Sequence, residues 1–160
     1  MQPAGSVSSC RIQTRKPMKN ETISTIRVRY AETDQMGVVY HANYLVWCEI
    51  GRTDFIRSAA RSYAEIEQDG VKLAVSEAGL RYLGSARYDD AILVHTRLTE
   101  LRSRTLRFSY QIRSEATGRV LVNAFTSLVC VDEVGKPTRI PDSIAAQLAP
   151  TLSSEFTRNG

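Results

Sequence analysis

The chain has 160 residues, of which 42% are hydrophobic and 24% are charged, as in one ordinary globular domain. No segment has the apolar length of a membrane span, and the first residues lack the apolar core of a signal peptide, so we expect a cytoplasmic protein. The net charge of +4 arises within residues 1–20, which contain no acid and whose basic residues are Arg11, Arg15, Lys16 and Lys19. A nucleic-acid-binding face on the rest of the chain is therefore not indicated.

The chain is predicted to contain a single domain. Residues 1–21 are polar and without periodicity, which predicts a disordered basic tail. The apolar pattern then continues over residues 22–150, and residues 151–160 are expected to form a flexible C-terminus. Nothing between these limits resembles a linker, a repeat or a low-complexity segment.

The domain is predicted to begin with a β-strand that contains Ile23, Ile26 and Val28. After a loop, the apolar residues recur in steps of three and four, the spacing that places them on one face of an α-helix. These residues are Tyr44, Trp47, Cys48, Gly51, Phe55, Ala59, Tyr63 and Ile66. We therefore expect one long helix that begins with Asn43 as its N-cap and ends at Gly70 in a left-handed conformation.

After this helix the pattern is that of four β-strands, over residues 71–83, 91–101, 106–113 and 120–131. Gly79 suggests a bulge or bend in the first of them. The third strand alternates between apolar and polar residues, so we expect one face to meet water, namely Arg107, Ser109, Gln111 and Arg113. The fourth is apolar on both faces and is expected to be central, and a short helix is predicted from Pro141 to Leu148.

This order of elements predicts an α+β fold, in which one antiparallel sheet covers one long helix. Because a sheet covers only one side of a helix, we also expect a homo-oligomer, at least a dimer. The three cysteines, Cys10, Cys48 and Cys130, are odd in number and widely spaced, and the two histidines lie far apart. Neither set has metal-ligand spacing, so we expect no metal and no cofactor.

The loop before the long helix carries a carboxylate, Asp34, on a segment that runs into the helix N-terminus. The first N–H groups of a helix lack internal acceptors and carry partial positive charge, so they could stabilise an oxyanion. A carboxylate nearby could attack a carbonyl or deprotonate a water. The residues alone leave two interpretations open: an acyl-transfer site, or an aspartate that only caps a turn.

A family resemblance is carried by the motif Asp34-x-x-Gly37-x-Val39-Tyr40-His41-x-Asn43-Tyr44. It resembles the signature of the hotdog-fold acyl-CoA thioesterases, specifically the 4-hydroxybenzoyl-CoA thioesterase-like group, which includes small bacterial thioesterases associated with the Tol–Pal system. The resemblance covers about residues 23–148. It implies a hotdog fold, in which one long central helix is wrapped by a five-stranded antiparallel sheet.

The same resemblance implies the roles of individual residues. Asp34 matches the catalytic carboxylate, as nucleophile or general base, and the backbone N–H of His41 matches the donor to the thioester carbonyl. The His41 side chain could also act in proton transfer or only line the loop. The expected substrate-binding positions are Gly37, Val39, Tyr40, Asn43 and Tyr44.

The resemblance further implies an acyl-CoA substrate and an active site at a subunit interface, in dimers that often pair into tetramers. Five arginines are available to meet the phosphates of CoA: Arg81, Arg87, Arg102, Arg104 and Arg107. The acyl group stays open, as does the choice between CoA and acyl-carrier-protein thioesters.

The sequence also bears on three functions other than hydrolysis. A non-catalytic acyl-binding or regulatory module is one alternative, but it would need an output domain for which residues 1–21 are too short. Nucleic-acid binding through the basic tail would need aromatic platforms or a charged face on the domain, and neither is evident. Hydration or dehydration of an acyl thioester would need a differently placed His–Asp pair, and the presence of His41 and Asp34 leaves it open.

Overall fold

Five β-strands form one sheet in the computed structural model, which describes residues 20–60 and 63–157. The sheet has the order β1-β3-β4-β5-β2, and every neighbouring pair is antiparallel. The predicted five-stranded antiparallel sheet is therefore confirmed, with β5 in its interior. The strands are β1 (Thr22–Arg27), β2 (Lys72–Tyr82), β3 (Ala91–Leu101), β4 (Thr105–Ser114) and β5 (Val120–Val131). The predicted basic tail, residues 1–21, lies outside the described residues except for its last two.

The described residues also form three α-helices: α1 (Asn43–Ala59), α2 (Tyr63–Gln68) and α3 (Asp142–Leu148). The residues predicted to form the apolar face of α1 are buried, as expected for the face that packs on the sheet. They are Tyr44, Trp47, Cys48, Gly51 and Phe55. Within the two described stretches, no helix combines the length and apolar character that crossing a membrane requires.

The prediction of one long helix is wrong in its length. α1 ends at Ala59, and Ala60 leaves the helix with φ −135° and ψ −97°. In the last turn the hydroxyl of Ser58 donates to the carbonyl of Phe55 at 2.8 Å, a local bond that competes with helix continuation. The apolar spacing nevertheless continues into α2, where Ile66 is buried. The pattern therefore could not reveal the break, whereas Gly70 has the left-handed conformation predicted for it, with φ +79°.

The bulge in β2 lies between Val75 and Glu77 rather than at Gly79. Gly79 has a different function: a Cβ there would lie 2.3 Å from the ring of Phe125 on β5. The missing side chain therefore makes room for the aromatic ring that crosses it.

The outer face of the sheet, opposite α1, is less open than predicted, since Ser109 and Gln111 are buried. Residues 151–157, predicted to be part of a flexible C-terminus, run across part of this face. The N–H of Ser153 donates to the carbonyl of Leu98 at 2.9 Å, and the guanidinium of Arg97 lies 3.9 Å from the centre of the Phe156 ring. This covering segment gave no periodic signal in the sequence.

Candidate active site

Asp34 begins a tight turn in the loop that precedes α1. Its N–H donates to the carbonyl of Val38 at 2.9 Å, and Thr33 and Val39 pair as an antiparallel bridge. Gly37 has φ +75°, which glycine adopts without strain, and its N–H donates to the carbonyl of Asp34 at 3.0 Å. The loop is therefore a small hairpin that holds Asp34 in a defined position.

The two oxygens of the Asp34 carboxylate have different surroundings. Oδ1 accepts the N–H of Met36 at 2.8 Å, so the side chain does cap its own turn. Oδ2 accepts no hydrogen bond from any residue that the structure describes, and the side chain is half-buried. The two interpretations of Asp34 are therefore compatible, because one oxygen serves the turn while the other is open.

A second carboxylate in the loop, Glu32, is buried and ties the loop to α1. Its Oε2 accepts the N–H of Arg29 at 2.8 Å, and its Oε1 accepts the indole N–H of Trp47 at 3.1 Å. Its backbone carbonyl accepts the N–H of Tyr40 at 2.9 Å and the side-chain amide of Asn43 at 2.8 Å. Sequence reasoning missed this residue. The available signal was Trp47 itself, because a buried indole N–H needs an acceptor.

Asn43 does not cap α1, contrary to the prediction. The N-cap position is Ala42, which makes no side-chain cap hydrogen bond. The Asn43 amide is engaged by the Glu32 carbonyl instead. Two of the first N–H groups have backbone acceptors: that of Asn43 donates to the carbonyl of Tyr40 at 2.9 Å, and that of Leu45 donates to the carbonyl of Ala42 at 3.2 Å.

Ala86 holds the loop from its other side. The N–H of Val39 donates to the Ala86 carbonyl at 2.9 Å, and the N–H of Ala86 donates to the phenol oxygen of Tyr44 at 3.0 Å. Val39 and Tyr44 are both buried. Gly37 and Tyr40 are exposed, so the predicted substrate-binding positions include two residues inside the fold and two on its surface.

His41 is exposed and lies at the start of α1. The centre of its ring is 4.4 Å from that of Tyr40 and 6.5 Å from that of Tyr82. Its backbone carbonyl accepts the Tyr82 hydroxyl at 2.9 Å. Its backbone N–H has no acceptor among residues 20–60 and 63–157. The loop therefore presents an unbonded N–H at His41 as well as an open carboxylate oxygen at Asp34.

Cys48 lies on α1 close to this loop in sequence but is not an alternative nucleophile. The side chain is fully buried, and burial raises the pKa of its thiol to about 12. The thiolate is the reactive form of cysteine, and almost none is present at neutral pH.

Of the arginines considered for CoA phosphates, Arg87 contacts the loop. Its Nη1 lies 3.5 Å from the carbonyl of Gly37. Arg102 and Arg104 lie in the turn after β3, at the opposite end of that strand from Arg87, and Arg102 pairs with Glu100 at 3.3 Å.

Arg81 and Arg107 lie elsewhere, in a groove of about 300 Å³ on the sheet. The groove is also bordered by Phe125, Glu155 and Phe156, and no residue of the Asp34 loop lines it. Its size alone would make it a candidate site. Its carboxylate, Glu155, is paired with Arg107 at 3.6 Å, whereas one oxygen of Asp34 has no partner among the described residues, so we favour the Asp34 loop over the groove.

Glu32 gives a first prediction, which concerns stability. Burial raises the pKa of the Glu32 carboxyl, but the hydrogen bonds from Arg29 and Trp47 outweigh burial and hold the pKa below its ordinary value of 4.5. A lowered pKa means that the carboxylate stabilises the fold at pH above 4.5 and that this contribution is lost as pH falls through the folded-state pKa. Glu32→Ala should cost about 1–3 kcal/mol at neutral pH, because the Trp47 N–H loses its acceptor.

Urea unfolding of wild type and variant between pH 3 and pH 7 measures this effect. The difference in unfolding free energy between wild type and Glu32→Ala should become smaller as the pH falls toward 3. Glu115→Ala is the matched control, since Glu115 is exposed and should change the unfolding free energy by less than about 0.5 kcal/mol. Equal stabilities of Glu32→Ala and Glu115→Ala at neutral pH would contradict the role given to Glu32.

Comparison with known proteins bears on the family to which this chain belongs. A family model described as the thioesterase-like superfamily matches residues 28–148. The acyl-CoA thioester hydrolase YbgC of Escherichia coli O157:H7 is 35% identical over 123 residues, 76% of this chain and 91% of that protein.

Solved structures match over most of the chain. Protein TT1821 of Thermus thermophilus is 41% identical with a TM-score of 0.78, over 84% of this chain and 99% of that one. The DHNA-CoA thioesterase of Staphylococcus aureus is 31% identical with a TM-score of 0.75, over 81% and 91%. The fold described above is therefore shared with a thioesterase of known structure.

Proposed function

We propose, on the premise that this chain belongs to the thioesterase-like superfamily and is a thioester hydrolase, that it hydrolyses an acyl-CoA with Asp34 as the catalytic carboxylate. One observation carries the proposal: a single loop presents an open carboxylate oxygen on Asp34 and an unbonded N–H on His41. Thioester hydrolysis needs both, a base or nucleophile and a donor for the oxygen that becomes negative.

Two routes are compatible with this arrangement. As a general base, Asp34 takes a proton from a water that attacks the thioester carbon. As a nucleophile, it forms a mixed anhydride that water then hydrolyses. In both routes negative charge develops on the thioester oxygen, where the N–H of His41 and the N-terminus of α1 stabilise it. The C–S bond then breaks and CoA leaves as a thiolate, which needs little acid assistance.

The predicted substrate-binding residues divide by exposure. Gly37 and Tyr40 are exposed and are proposed to contact the substrate. Hydrogen bonds to Ala86 and Glu32 hold the other three, Val39, Asn43 and Tyr44. We propose that these three residues support the acyl pocket from the interior of the fold. Arg87, beside Gly37, is the arginine that we propose for a phosphate of CoA.

The active form is proposed to be a cytoplasmic homo-oligomer, a dimer or a tetramer. The side of α1 that faces away from the sheet exposes Leu45, Val46 and Ile50, and the edge strand β2 exposes Val75. An apolar helix face and an unpaired strand edge are both surfaces that a second copy would cover. Free, buried Cys48 and Cys130 are in keeping with a reducing compartment.

A thiol-release assay tests the proposed activity. The purified chain is incubated with aromatic, short aliphatic and long-chain acyl-CoAs, and free CoA is followed with a chromogenic thiol reagent. We expect turnover of at least one class well above the uncatalysed rate, and the same acyl groups on acyl carrier protein show which carrier is preferred. Acyl-CoA binding without thiol release from any substrate would overturn the proposal in favour of the non-catalytic alternative.

A further inference from the structure

Tyr82 reaches the candidate active site from a distant part of the chain. It is the last residue of β2, and its hydroxyl donates to the backbone carbonyl of His41 at 2.9 Å. Its ring packs edge-on against Tyr44, with ring centres 5.7 Å apart. Tyr44 is 2% exposed and is held by the N–H of Ala86, so Tyr82 rests on a fixed part of the fold.

The carbonyl that Tyr82 binds belongs to the peptide unit that also contains the N–H of Ala42. A peptide unit is planar, so fixing the direction of the carbonyl also fixes the direction of that N–H. It also restricts rotation about the bond between His41 Cα and this carbonyl, which is one of the two backbone rotations that set the directions of the His41 and Ala42 N–H groups relative to each other. Neither N–H has an acceptor in the described part of the chain.

We propose that Tyr82 is a positioning residue, whose hydroxyl holds the His41–Ala42 peptide so that the two consecutive N–H groups converge on the thioester oxygen. This inference rests on the proposed function, because it assigns a second donor, the Ala42 N–H, to the same oxyanion site. Donors fixed before the reaction stabilise developing charge without a cost of reorganisation. Tyr82 itself does not touch the reacting atoms.

The state of the phenol fits this role. Tyr82 is 46% exposed, and its partial burial, followed by the influence of Cys48, raises the pKa of the phenol above its ordinary value, so the hydroxyl is protonated and can donate throughout the neutral range. A tyrosine that only filled space would need its ring but not its hydroxyl.

Removing the hydroxyl is the direct experiment. Tyr82→Phe keeps the ring contact with Tyr44 and loses the bond to His41. We expect kcat to fall roughly threefold to tenfold, the effect of one hydrogen bond, with KM little changed, because the N–H groups that the bond positions act in the transition state. The melting temperature should fall modestly, since the bond is also present in the free protein. The matched control is Tyr30→Phe, since Tyr30 is 78% exposed and its hydroxyl has no partner among the described residues.

A second measurement separates positioning from packing. Replacing Tyr82 by a fluorinated tyrosine, whose phenol ionises at lower pH, should add an alkaline loss of kcat at the pH where that phenol ionises, because a phenolate cannot donate. The same analogue at position 30 should leave the pH profile unchanged. A packing role predicts unchanged profiles at both positions.

The outcomes also distinguish this inference from the proposed function. If Asp34→Asn is inactive while Tyr82→Phe and the fluorinated variant match wild type, the positioning role is wrong and the active site stands. If Asp34→Asn and Tyr82→Phe both match wild type, the site itself is wrong.

Discussion

Asp34→Asn is expected to lower kcat roughly a hundredfold or more, the effect of removing a general base, and by more if Asp34 is the nucleophile. The amide has the shape of the carboxylate but neither its charge nor its basicity. Its oxygen can still accept the N–H of Met36 as Oδ1 does now, so the turn should persist. Kinetics with one acyl-CoA, together with circular dichroism melts, would show a loss of turnover without a loss of fold. Near-wild-type turnover would remove Asp34 from the mechanism.

His41→Ala tests whether the imidazole or the backbone N–H of His41 acts in the reaction. The substitution removes the imidazole but keeps the backbone N–H, which is the group proposed to act. We therefore expect a much smaller loss of kcat than for Asp34→Asn. The dependence of the rate on pH should have the same shape as in wild type. Equal losses in the two variants would show that the imidazole takes part in proton transfer.

The second large effect is expected from Gly51→Ala in the middle of α1. In an ordinary helix this change stabilises by up to about 1 kcal/mol. Here the new Cβ would lie 2.4 Å from Oγ1 of Thr96 and 2.9 Å from Cγ1 of Val94 on β3, closer than van der Waals contact allows. We expect a net destabilisation of about 1–3 kcal/mol, since α1 must move away from the sheet.

Urea unfolding of Gly51→Ala against wild type measures that cost, and a double variant tests its cause. Thr96→Ala removes the nearer obstacle, a buried hydroxyl that makes no hydrogen bond with the described residues. The cost of Gly51→Ala should therefore be smaller in the Thr96→Ala background. If Gly51→Ala stabilised the protein, the close approach of α1 to β3 described here would be incorrect.

The parts of the fold that the sequence predicted are those governed by local periodicity. Steps of three and four from Tyr44 to Phe55 placed the buried face of α1, and the apolar run of β5 placed that strand inside the sheet. The break after Ala59 was not predictable in this way, because Ile66 continues the spacing from a separate helix. The burial of Ser109 was also not visible, since it depends on a covering segment with no periodicity of its own.

The candidate site also contains residues that the sequence identified and residues that it did not. Asp34 and His41 were identified because they belong to one continuous motif, in which the spacing itself carries the information. Glu32 and Tyr82 were missed because their roles arise from three-dimensional contacts. Glu32 reaches Trp47 across the loop, and Tyr82 meets His41 only because β2 ends beside the start of α1. No feature within either residue's own segment indicates these partners.

The bond between Glu32 and Trp47 also supplies an optical signal. Trp47 is the chain's single tryptophan, and its indole N–H is bonded to the loop that carries Asp34. Its emission therefore comes from one chromophore whose hydrogen bond exists only while that loop is seated on α1. We therefore expect tryptophan emission to change if the Asp34 loop separates from α1, and stopped-flow fluorescence would compare the time of any such change with that of thiol release.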